Sequence, residues 1–276
     1  MRDSQTIIFT DLDGTLIDFE TYSPEIAAPL ARDLVDRGVP VVFCSSKTLA
    51  EQKALMHSIG FSVPCIVENG AGIYLPDSIK ILNNHRGSRA VEGGRLISLG
   101  ENSKFIRQQL RVVSNALGLD LKPYHKFSDS DVSRITGLDE AGAKRAKNRD
   151  FSETLTASLK PETWATLNAT LKPVGLHCLS GGRFHTVTSK DCNKGRALRI
   201  VVDGFGSMTG NRWHSIGIGD SSNDIDMLES VDHPYLVQTP AGSWNDLEIP
   251  NLKRIAAIGP HGWVQAVRDA LGLDSV

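Results

Sequence analysis

The chain has 276 residues, of which 40% are hydrophobic and 22% are charged, and its formal net charge is −2. This length is enough for two domains with cores of their own, and the composition is that of an ordinary globular protein. The near-neutral charge gives no electrostatic reason to expect binding to nucleic acid or to an anionic membrane, and no apolar run is long enough to cross a bilayer. The N-terminal sequence has no signal-peptide core and the four cysteines show no C-x-x-C spacing, which favours buried free thiols in a reducing cytoplasm.

Short apolar strands and longer amphipathic helices alternate through the first quarter of the chain. The predicted strands are TIIFTD, VPVVFCS and PCIVEN, which begin at residues 6, 39 and 64. A helix is predicted over 23–38, with Ser23 as N-cap and Gly38 as the stop, and a second helix over 47–60, ending at Gly60. Near-continuous apolar strands separated by helices are typical of a parallel sheet that is covered on both faces.

The pattern changes between about Asn83 and Arg183, where Lys, Arg, Ser and Thr become more frequent and the strand signals weaken. Three helices are predicted there, over 102–118, around 138–149 and over 161–172. We interpret residues 84–184 as an inserted α+β domain, so that residues 1–83 and 185–276 together form one discontinuous domain.

The alternation of strands and helices resumes after the insertion. A helix is predicted from Lys194 to about Val202, and strands are predicted over 214–220, 235–238 and 254–258. Further helices are predicted over 223–231 and 262–273. The whole pattern predicts an α/β fold, in which a Rossmann-like parallel sheet forms the core and carries the inserted α+β domain.

Two aspartates, Asp11 and Asp13, follow the first predicted strand, and Gly14 and Thr15 come directly after them. In an open parallel sheet, ligands bind at the carboxyl ends of the strands. Two ionised carboxylates at the edge of an apolar core cost free energy unless a cation pairs with them. A plain Asp-Gly turn would explain the glycine, but it explains less well why so apolar a strand ends in a second aspartate.

Other predicted strand ends carry complementary groups. Ser45 ends the second strand, where its hydroxyl could bind a phosphoryl oxygen or cap the next helix. Asp220 ends another strand and is followed by Asn223 and Asp224 at the start of a helix, where an aspartate is ordinarily a cap. Three carboxylates from two strand ends suit Mg²⁺, and Lys194 at a helix start adds a cation beside amides that favour anions.

In chain order, DLDGT, a serine ending the second strand, a Lys-Gly pair after the insertion, and GDSSND resemble the four motifs of the haloacid dehalogenase-like phosphatases. The resemblance covers the whole chain, and the insertion lies where the family places a large α+β cap domain. The stretches SSKT, VENGAGIY, ITGLDEAGAKRAKNRDFSETL, SGGRFHTV and GPHGWVQAV further resemble the mannosyl-3-phosphoglycerate phosphatases of this family. Lys190 and Lys194 are both candidates for the third motif, and Lys194 is chosen because a glycine and a helix follow it.

The resemblance implies a Mg²⁺-dependent hydrolysis of a phosphate monoester through an aspartyl-phosphate. Asp11 would be the nucleophile and Asp13 the general acid and base, while Ser45 and Lys194 would hold the phosphoryl oxygens. The metal ligands would come from Asp11, Asp13, Asp220 and Asp224. The expected substrate is mannosyl- or glucosyl-3-phosphoglycerate. A general sugar-phosphate phosphatase, a phosphomutase of the same fold and a non-enzymatic sugar-phosphate sensor are the alternatives.

The same resemblance implies substrate contacts from the loops and the cap. The expected substrate-binding residues are Gly14, Ser46, Lys47, Glu68, Asn69, Gly70, Arg149, Glu153, Arg183 and Asn223. Arg149 would pair with the glycerate carboxylate and Glu153 would bind sugar hydroxyls. Residues 68–70 could equally be a plain turn, Arg183 a surface arginine, and KRAKNR a solvated helix face. The expected partner is a small phosphate ester, and the expected state is a monomer or homodimer that binds neither nucleic acid nor membrane.

Overall fold

The computed structural model describes residues 5–180 and 184–273. Its first elements are β1 (Gln5–Thr10), α1 (Ala28–Asp36), β2 (Val41–Cys44), α2 (Leu49–Ile59), β3 (Cys65–Val67), β4 (Gly72–Pro76), β5 (Ser88–Val91) and β6 (Gly94–Ser98). The middle of the chain forms α3 (Ser103–Leu117), α4 (Asp129–Thr136), α5 (Glu140–Lys147), β7 (Glu153–Leu155), α6 (Pro161–Leu171), β8 (Leu176–Ser180) and β9 (His185–Ser189). The last elements are α7 (Lys194–Thr209), β10 (Trp213–Gly219), α8 (Ile225–Leu228), β11 (His233–Gln238), β12 (Lys253–Ile258) and α9 (His261–Leu271).

Nine of the described strands form one sheet, in the order β12-β11-β10-β1-β2-β3-β4-β6-β5. The pairs from β12 to β3 are parallel, whereas β4, β6 and β5 continue the sheet with antiparallel pairing. The predicted α/β class with a parallel-sheet core is therefore confirmed, and the antiparallel strands are an addition to it. The order brings β10, β1 and β2 side by side, so that their carboxyl ends meet at one edge.

Helices cover both faces of the large sheet, which explains why its central strands are apolar throughout. In β1, Ile8 faces a cluster that includes Leu34 of α1, Met56 of α2 and Val267 of α9. The neighbouring residue Phe9 faces the opposite cluster, which includes residues of α7. The last four residues of the strand are buried on one face or the other, because successive side chains point to opposite sides.

A second sheet of three antiparallel strands, β7-β9-β8, belongs to the inserted region. Helices α3 and α6 cover one of its faces and form a separate apolar cluster with Leu155, Cys178 and Val187. We call this sheet with helices α3–α6 the cap. Apart from β9, its elements lie within residues 84–184, where the sequence predicts an inserted α+β domain. Helix α5 of the cap lies beside α2, where the Thr48 hydroxyl donates to Arg145 O at 2.9 Å.

The pairing of the strands does not follow the predicted domain boundaries at residues 83/84 and 184/185. Strands β5 and β6 lie after the first boundary yet pair with the large sheet, and β9 lies after the second boundary yet pairs within the cap. The physical reason for the first difference is that β5 is an edge strand with its residues partly or fully exposed. Its sequence therefore lacks the apolar run by which the other core strands are recognised.

Three predicted helices have different bounds in the structure. Helix α1 begins at Ala28 and is not capped by Ser23, whose hydroxyl instead accepts a hydrogen bond from Glu25 N at 3.3 Å in a preceding turn. Helix α7 continues to Thr209, whereas α8 spans only Ile225–Leu228. Among residues 5–180 and 184–273, no helix combines the length and apolarity that crossing a membrane requires. All four cysteines are buried free thiols.

Candidate active site

The three adjacent strands β10, β1 and β2 each deliver a predicted site residue at the carboxyl end. Asp11 follows β1 and continues its pairing, because Asp11 N donates to Ile218 O of β10 at 2.9 Å. Asp220 follows β10, and Ser45 follows β2, where Ser45 N donates to Ile66 O of β3 at 3.1 Å. The regular backbone hydrogen bonds of the sheet thus fix where the side chains of Asp11 and Ser45 begin, and Asp220 comes directly after the last residue of β10.

Three buried carboxylates form a compact cluster at this edge. Asp11, Asp220 and Asp224 each offer one carboxylate oxygen, and these oxygens lie within 4.8 Å of one another. Burial, reinforced by the charge of Asp224, raises the pKa of Asp11 well above its usual range and raises the pKa of Asp220 to about 7. Repulsion among carboxylates at this distance makes the cluster a site that favours a cation.

Asp224 acts both as a cap and as a member of the cluster. Its Oδ2 accepts hydrogen bonds from Asp220 N at 3.1 Å and from Ser221 N at 3.2 Å. Its Oδ1 remains free of these main-chain contacts and accepts from Lys194 Nζ at 2.6 Å. Asp224 therefore caps the start of the helix, as an aspartate at this position ordinarily does, and also contacts Lys194 in the site. Asn223, one residue earlier, is exposed and accepts from the Ser221 hydroxyl at 2.8 Å.

Lys194 places a buried ammonium in the middle of the cluster. Its Nζ donates to Asp11 Oδ1 at 2.7 Å as well as to Asp224, and only 1% of the residue is exposed. Burial lowers the pKa of Lys194, but the charges of Asp11 and Asp224 outweigh that effect, so its pKa lies above the ordinary lysine value. The structure brings Lys194 into the site as the first residue of α7 and leaves Lys190 exposed in the preceding turn.

Asp13 lies two residues after Asp11 and pairs with a lysine from the next strand end. Lys47 Nζ is 3.0 Å from Asp13 Oδ2 and lies 5.0 Å from the centre of the Tyr22 ring. Among the described residues, Asp13 Oδ1 has no hydrogen-bond partner although it is buried. Burial raises the pKa of Asp13, and the charge of Lys47 offsets this in part, so the carboxyl retains its proton to higher pH than an exposed aspartate.

Gly14 allows the chain to turn tightly against Asp220. It has a φ of +77°, and a Cβ at this position would lie 3.0 Å from Asp220 Oδ2. The next residue, Thr15, is buried and its hydroxyl is 3.4 Å from Asp220 Oδ1. Thr15 and Asn245, whose amide donates to Asp220 O at 2.8 Å, are contacts that the sequence reasoning missed. Thr15 belongs to the DLDGT motif, whereas nothing near Asn245 signals its role.

The loop that follows β2 is held by the turn that follows β3. Asn69 N donates to Ser45 O and Glu68 N donates to Lys47 O, both at 3.1 Å. Residues 68, 69 and 70 all have positive φ, of 50°, 59° and 91°. The Ser45 hydroxyl is buried and accepts from Lys47 N at 3.3 Å. The turn and the loop are therefore held together by backbone hydrogen bonds, and the Glu68 side chain points from the turn toward the cap.

Arg149 is the predicted cap residue that lies against this loop. Its Nη1 donates to the Ser152 hydroxyl at 2.9 Å and lies 3.4 Å from Ser46 O. Its Nε is buried and has no partner among the described residues. The guanidinium is thus half-buried at the junction of cap and loop. Its predicted contact with a substrate carboxylate remains a prediction.

The structure places Glu153 differently from the expectation that it binds sugar hydroxyls. Its carboxylate is fully buried, bonds to Arg107 Nε at 2.5 Å and lies 3.0 Å from His125 Nδ1. Arg107 belongs to α3, which covers one face of the small sheet. Leu155 lies two residues after Glu153 in β7, so both side chains point to that face. These cap partners occupy the carboxylate. Arg183 lies outside the described residues.

Comparisons with known proteins identify the family of this chain. The family described as haloacid dehalogenase-like hydrolase matches residues 8–239. Over 270 residues the chain is 33% identical to "Glucosyl-3-phosphoglycerate/mannosyl-3-phosphoglycerate phosphatase" of Methanococcoides burtonii, covering 96% of this chain and 97% of the relative. A protein of the same name from Persephonella marina is 31% identical over 263 residues, covering 95% of each.

The fold is also that of solved phosphatases. A haloalkanoate-superfamily phosphatase from Bacteroides thetaiotaomicron superposes with a TM-score of 0.65 at 15% identity, covering 99% of this chain and 98% of that chain. At this identity the likeness concerns the fold alone. The family match, which begins in β1 and ends just after β11, and the two relatives decide the assignment. The chain belongs to the haloacid dehalogenase-like hydrolase family and is a phosphoric monoester hydrolase.

Proposed function

We propose that the protein is a Mg²⁺-dependent phosphatase that hydrolyses mannosyl- or glucosyl-3-phosphoglycerate through a phosphoryl group carried on Asp11. The observation that carries this proposal is the buried cluster in which the Asp11 carboxylate accepts a hydrogen bond from the ammonium of Lys194 and lies beside two further carboxylates. A group in that position is desolvated, oriented and close to positive charge, as an enzymatic nucleophile must be.

The residues of the cluster fit a magnesium ion. Its three carboxyl groups outnumber its single ammonium, so their full ionisation would leave an excess of negative charge in a buried place. Hard oxygen ligands from a few carboxylates, completed by substrate oxygens and water, are how Mg²⁺ is usually held. Asp11, Asp220 and Asp224, with the main-chain carbonyl of Asp13, would hold it. Once bound, the ion supplies positive charge that stabilises the negative charge developing on the phosphoryl group.

The protein's own residues then account for both halves of the hydrolysis. A carboxylate oxygen of Asp11 forms a bond to phosphorus while the bond from phosphorus to the glycerate oxygen breaks. The carboxyl of Asp13 gives its proton to that leaving oxygen and afterwards takes one from the attacking water, which regenerates Asp11 and releases inorganic phosphate. The raised pKa of Asp13 suits the first of these roles, because an acid must hold its proton until the bond breaks. Lys194 keeps the nucleophile oriented through its 2.7 Å contact.

The substrate is inferred from two independent features. The relatives above bear the names of glycosyl-3-phosphoglycerate phosphatases and match nearly the full length of this chain. Arg149 brings a guanidinium with an unpartnered buried Nε beside the loop that contains Ser45 and Ser46. A planar guanidinium of this kind can bind a carboxylate with two hydrogen bonds, and the glycerate moiety carries a carboxylate. The four buried free thiols fit a reducing cytoplasm as the place of action.

The test is release of inorganic phosphate from both glycosyl esters by purified protein with Mg²⁺. EDTA should abolish turnover, renewed Mg²⁺ should restore it, and Asp11→Asn should remain inactive. A phosphomutase would instead return an isomeric phosphate ester, and a sensor would bind the ester without releasing phosphate. Full activity in chelator-treated protein would contradict the metal site. Release from simple sugar phosphates but from neither glycosyl ester would contradict the substrate.

A further inference from the structure

The carboxylate of Glu68 joins the cap to the domain built on the nine-stranded sheet, which we call the large domain. It is fully buried, its Oε1 accepts from Asp150 N at 2.7 Å, and its Oε2 accepts from Phe151 N at 3.1 Å and from the Ser152 hydroxyl. Glu68 follows β3 of the large sheet, whereas its three donors form the segment that leads into β7. A carboxylate removed from water is costly unless several donors satisfy it, and here three donors from one cap segment do so.

A second contact fastens the same segment to the large domain. The ring of Phe151 is buried in the apolar cluster of that domain, with Val67 and Ala71, and not in the cluster of the cap. Gly72 makes room for it, because a Cβ there would lie 2.5 Å from the ring. Residues 150–152 are therefore anchored by an apolar and a charged contact side by side.

The anchored segment lies next to both chain crossings between the domains. Asp150 O accepts from Ser103 N, the first residue of α3, at 2.7 Å. Phe151 O accepts from the Thr188 hydroxyl, near the end of β9, at 3.1 Å. The crossing into the cap ends at α3 and the crossing out of it begins after β9. The segment thus forms a third point of attachment of the cap, next to the two chain crossings.

The backbone of Glu68 and its neighbour Asn69 also contacts the loop at residues 45–47 that follows β2. The N–H of Glu68 donates to Lys47 O, and Asn69 N donates to Ser45 O. Both residues have left-handed φ values, of 50° and 59°, which non-glycine residues adopt seldom and keep only where the surroundings hold them. Glu68 therefore links the loop at residues 45–47 to residues 150–152, the segment that directly follows Arg149.

We infer that Glu68 is a positioning residue, which fixes residues 150–152 on the large domain and thereby holds Arg149 beside the Ser45–Lys47 loop before substrate binds. This differs from a direct substrate contact, because both oxygens of the carboxylate already accept hydrogen bonds from the cap. The inference rests on the proposed function for the identity of the substrate, but the anchor itself can be tested without any substrate.

Hydrogen exchange of the free enzyme tests the anchor. In Glu68→Gln, the amides of residues 150 and 151 lose a charged acceptor and should exchange at least about tenfold faster, while α3 and β1 keep their protection. Thr188→Val is the matched control, because it removes a buried hydrogen bond to the same segment from within the cap. That variant should leave the exchange of both amides within about threefold of the parent. Unchanged exchange in Glu68→Gln would overturn the inference, whatever the substrate is.

Kinetics test the positioning role. In Glu68→Gln, KM for glycosyl-3-phosphoglycerate should rise about tenfold with kcat little changed, whereas p-nitrophenyl phosphate, which lacks a glycerate, should be hydrolysed at the parental rate. A merely structural role would lower thermal stability and reduce both activities together, and that result would overturn the inference. Ser152→Ala, which removes one of three donors, should shift KM in the same direction by less, and no shift would count against the anchor. If the parent enzyme hydrolyses neither glycosyl ester, the proposed substrate is wrong while the exchange result still decides the anchor.

Discussion

Replacing Arg149 by alanine separates a solvated cap arginine from one that reads the substrate. Nη1 of Arg149 contacts the Ser152 hydroxyl at 2.9 Å and lies 3.4 Å from Ser46 O, both neutral partners, and its buried Nε has no partner among the described residues. None of these hydrogen bonds ties the guanidinium to a carboxylate, although burial raises the pKa of the nearby Glu68 carboxyl and the charge of Arg149 acts to lower it. If the guanidinium pairs with the glycerate carboxylate, its removal leaves that carboxylate unpaired in a partly dehydrated cleft, at a cost of about 2–3 kcal/mol, or roughly 30- to 150-fold in kcat/KM.

The assay compares kcat/KM for glycosyl-3-phosphoglycerate and for p-nitrophenyl phosphate in Arg149→Ala. The loss should be large for the first ester and within about threefold for the second, which has no carboxylate. Arg149→Lys keeps the charge without the planar fork and should recover only part of the loss. Equal losses on both esters would point to a folding defect, and no loss on either would show that Arg149 is a solvated residue without a role in substrate binding. Either result would contradict a contact between Arg149 and the glycerate carboxylate.

Three further predictions follow from the carboxylates of the site. Asp13→Asn should reduce turnover of the glycosyl ester by roughly two to four decades, whereas p-nitrophenyl phosphate should still phosphorylate the enzyme and then release phosphate slowly, as stopped-flow and steady-state rates would show. In chelator-treated protein, urea unfolding should show stability falling as the pH rises toward about 7, because folded Asp220 holds its proton up to about that pH while the unfolded carboxyl, with its ordinary value of 3.8, has lost it. This proton contributes at most about 1.4 kcal/mol per pH unit to the slope, and Asp220→Asn should reduce the slope without abolishing it, because burial also raises the pKa of Asp11. Saturating Mg²⁺ should raise stability more at pH 8 than at pH 6, since the ion binds the deprotonated carboxylates; a gain independent of pH would contradict this.

The sequence predicts the residues at the strand ends because their positions depend on local pattern alone. An apolar strand followed by Asp11, another followed by Asp220, and a lysine at the start of a helix suffice to place three groups at one sheet edge. The parallel order of β10, β1 and β2 then brings them together. Choosing Lys194 over Lys190 needed only the glycine and the helix that follow it.

The roles of the buried carboxylates outside this edge could not be read in the same way. Glu68 bonds to residues more than eighty positions later in the chain, and Glu153 bonds to a helix that precedes it by 46 residues. No local pattern encodes such partners, so a glutamate in a loop or strand reads as a ligand-binding group when it is in fact satisfied inside the protein. Edge strands such as β5 escape detection for the opposite reason, since they bury too little to show an apolar run.

The most direct test of the account is to trap the phosphoryl group on the enzyme. The protein would be mixed with Mg²⁺ and glycosyl-3-phosphoglycerate, quenched in acid within one turnover, digested and mapped by mass spectrometry, with Asp13→Asn used in parallel on p-nitrophenyl phosphate to slow hydrolysis of the intermediate. We predict one phosphoryl group on the peptide that contains residues 7–18, located on Asp11 and absent from Asp11→Asn. A phosphoryl group on any other residue, or phosphate release by Asp11→Asn at the parental rate, would contradict it.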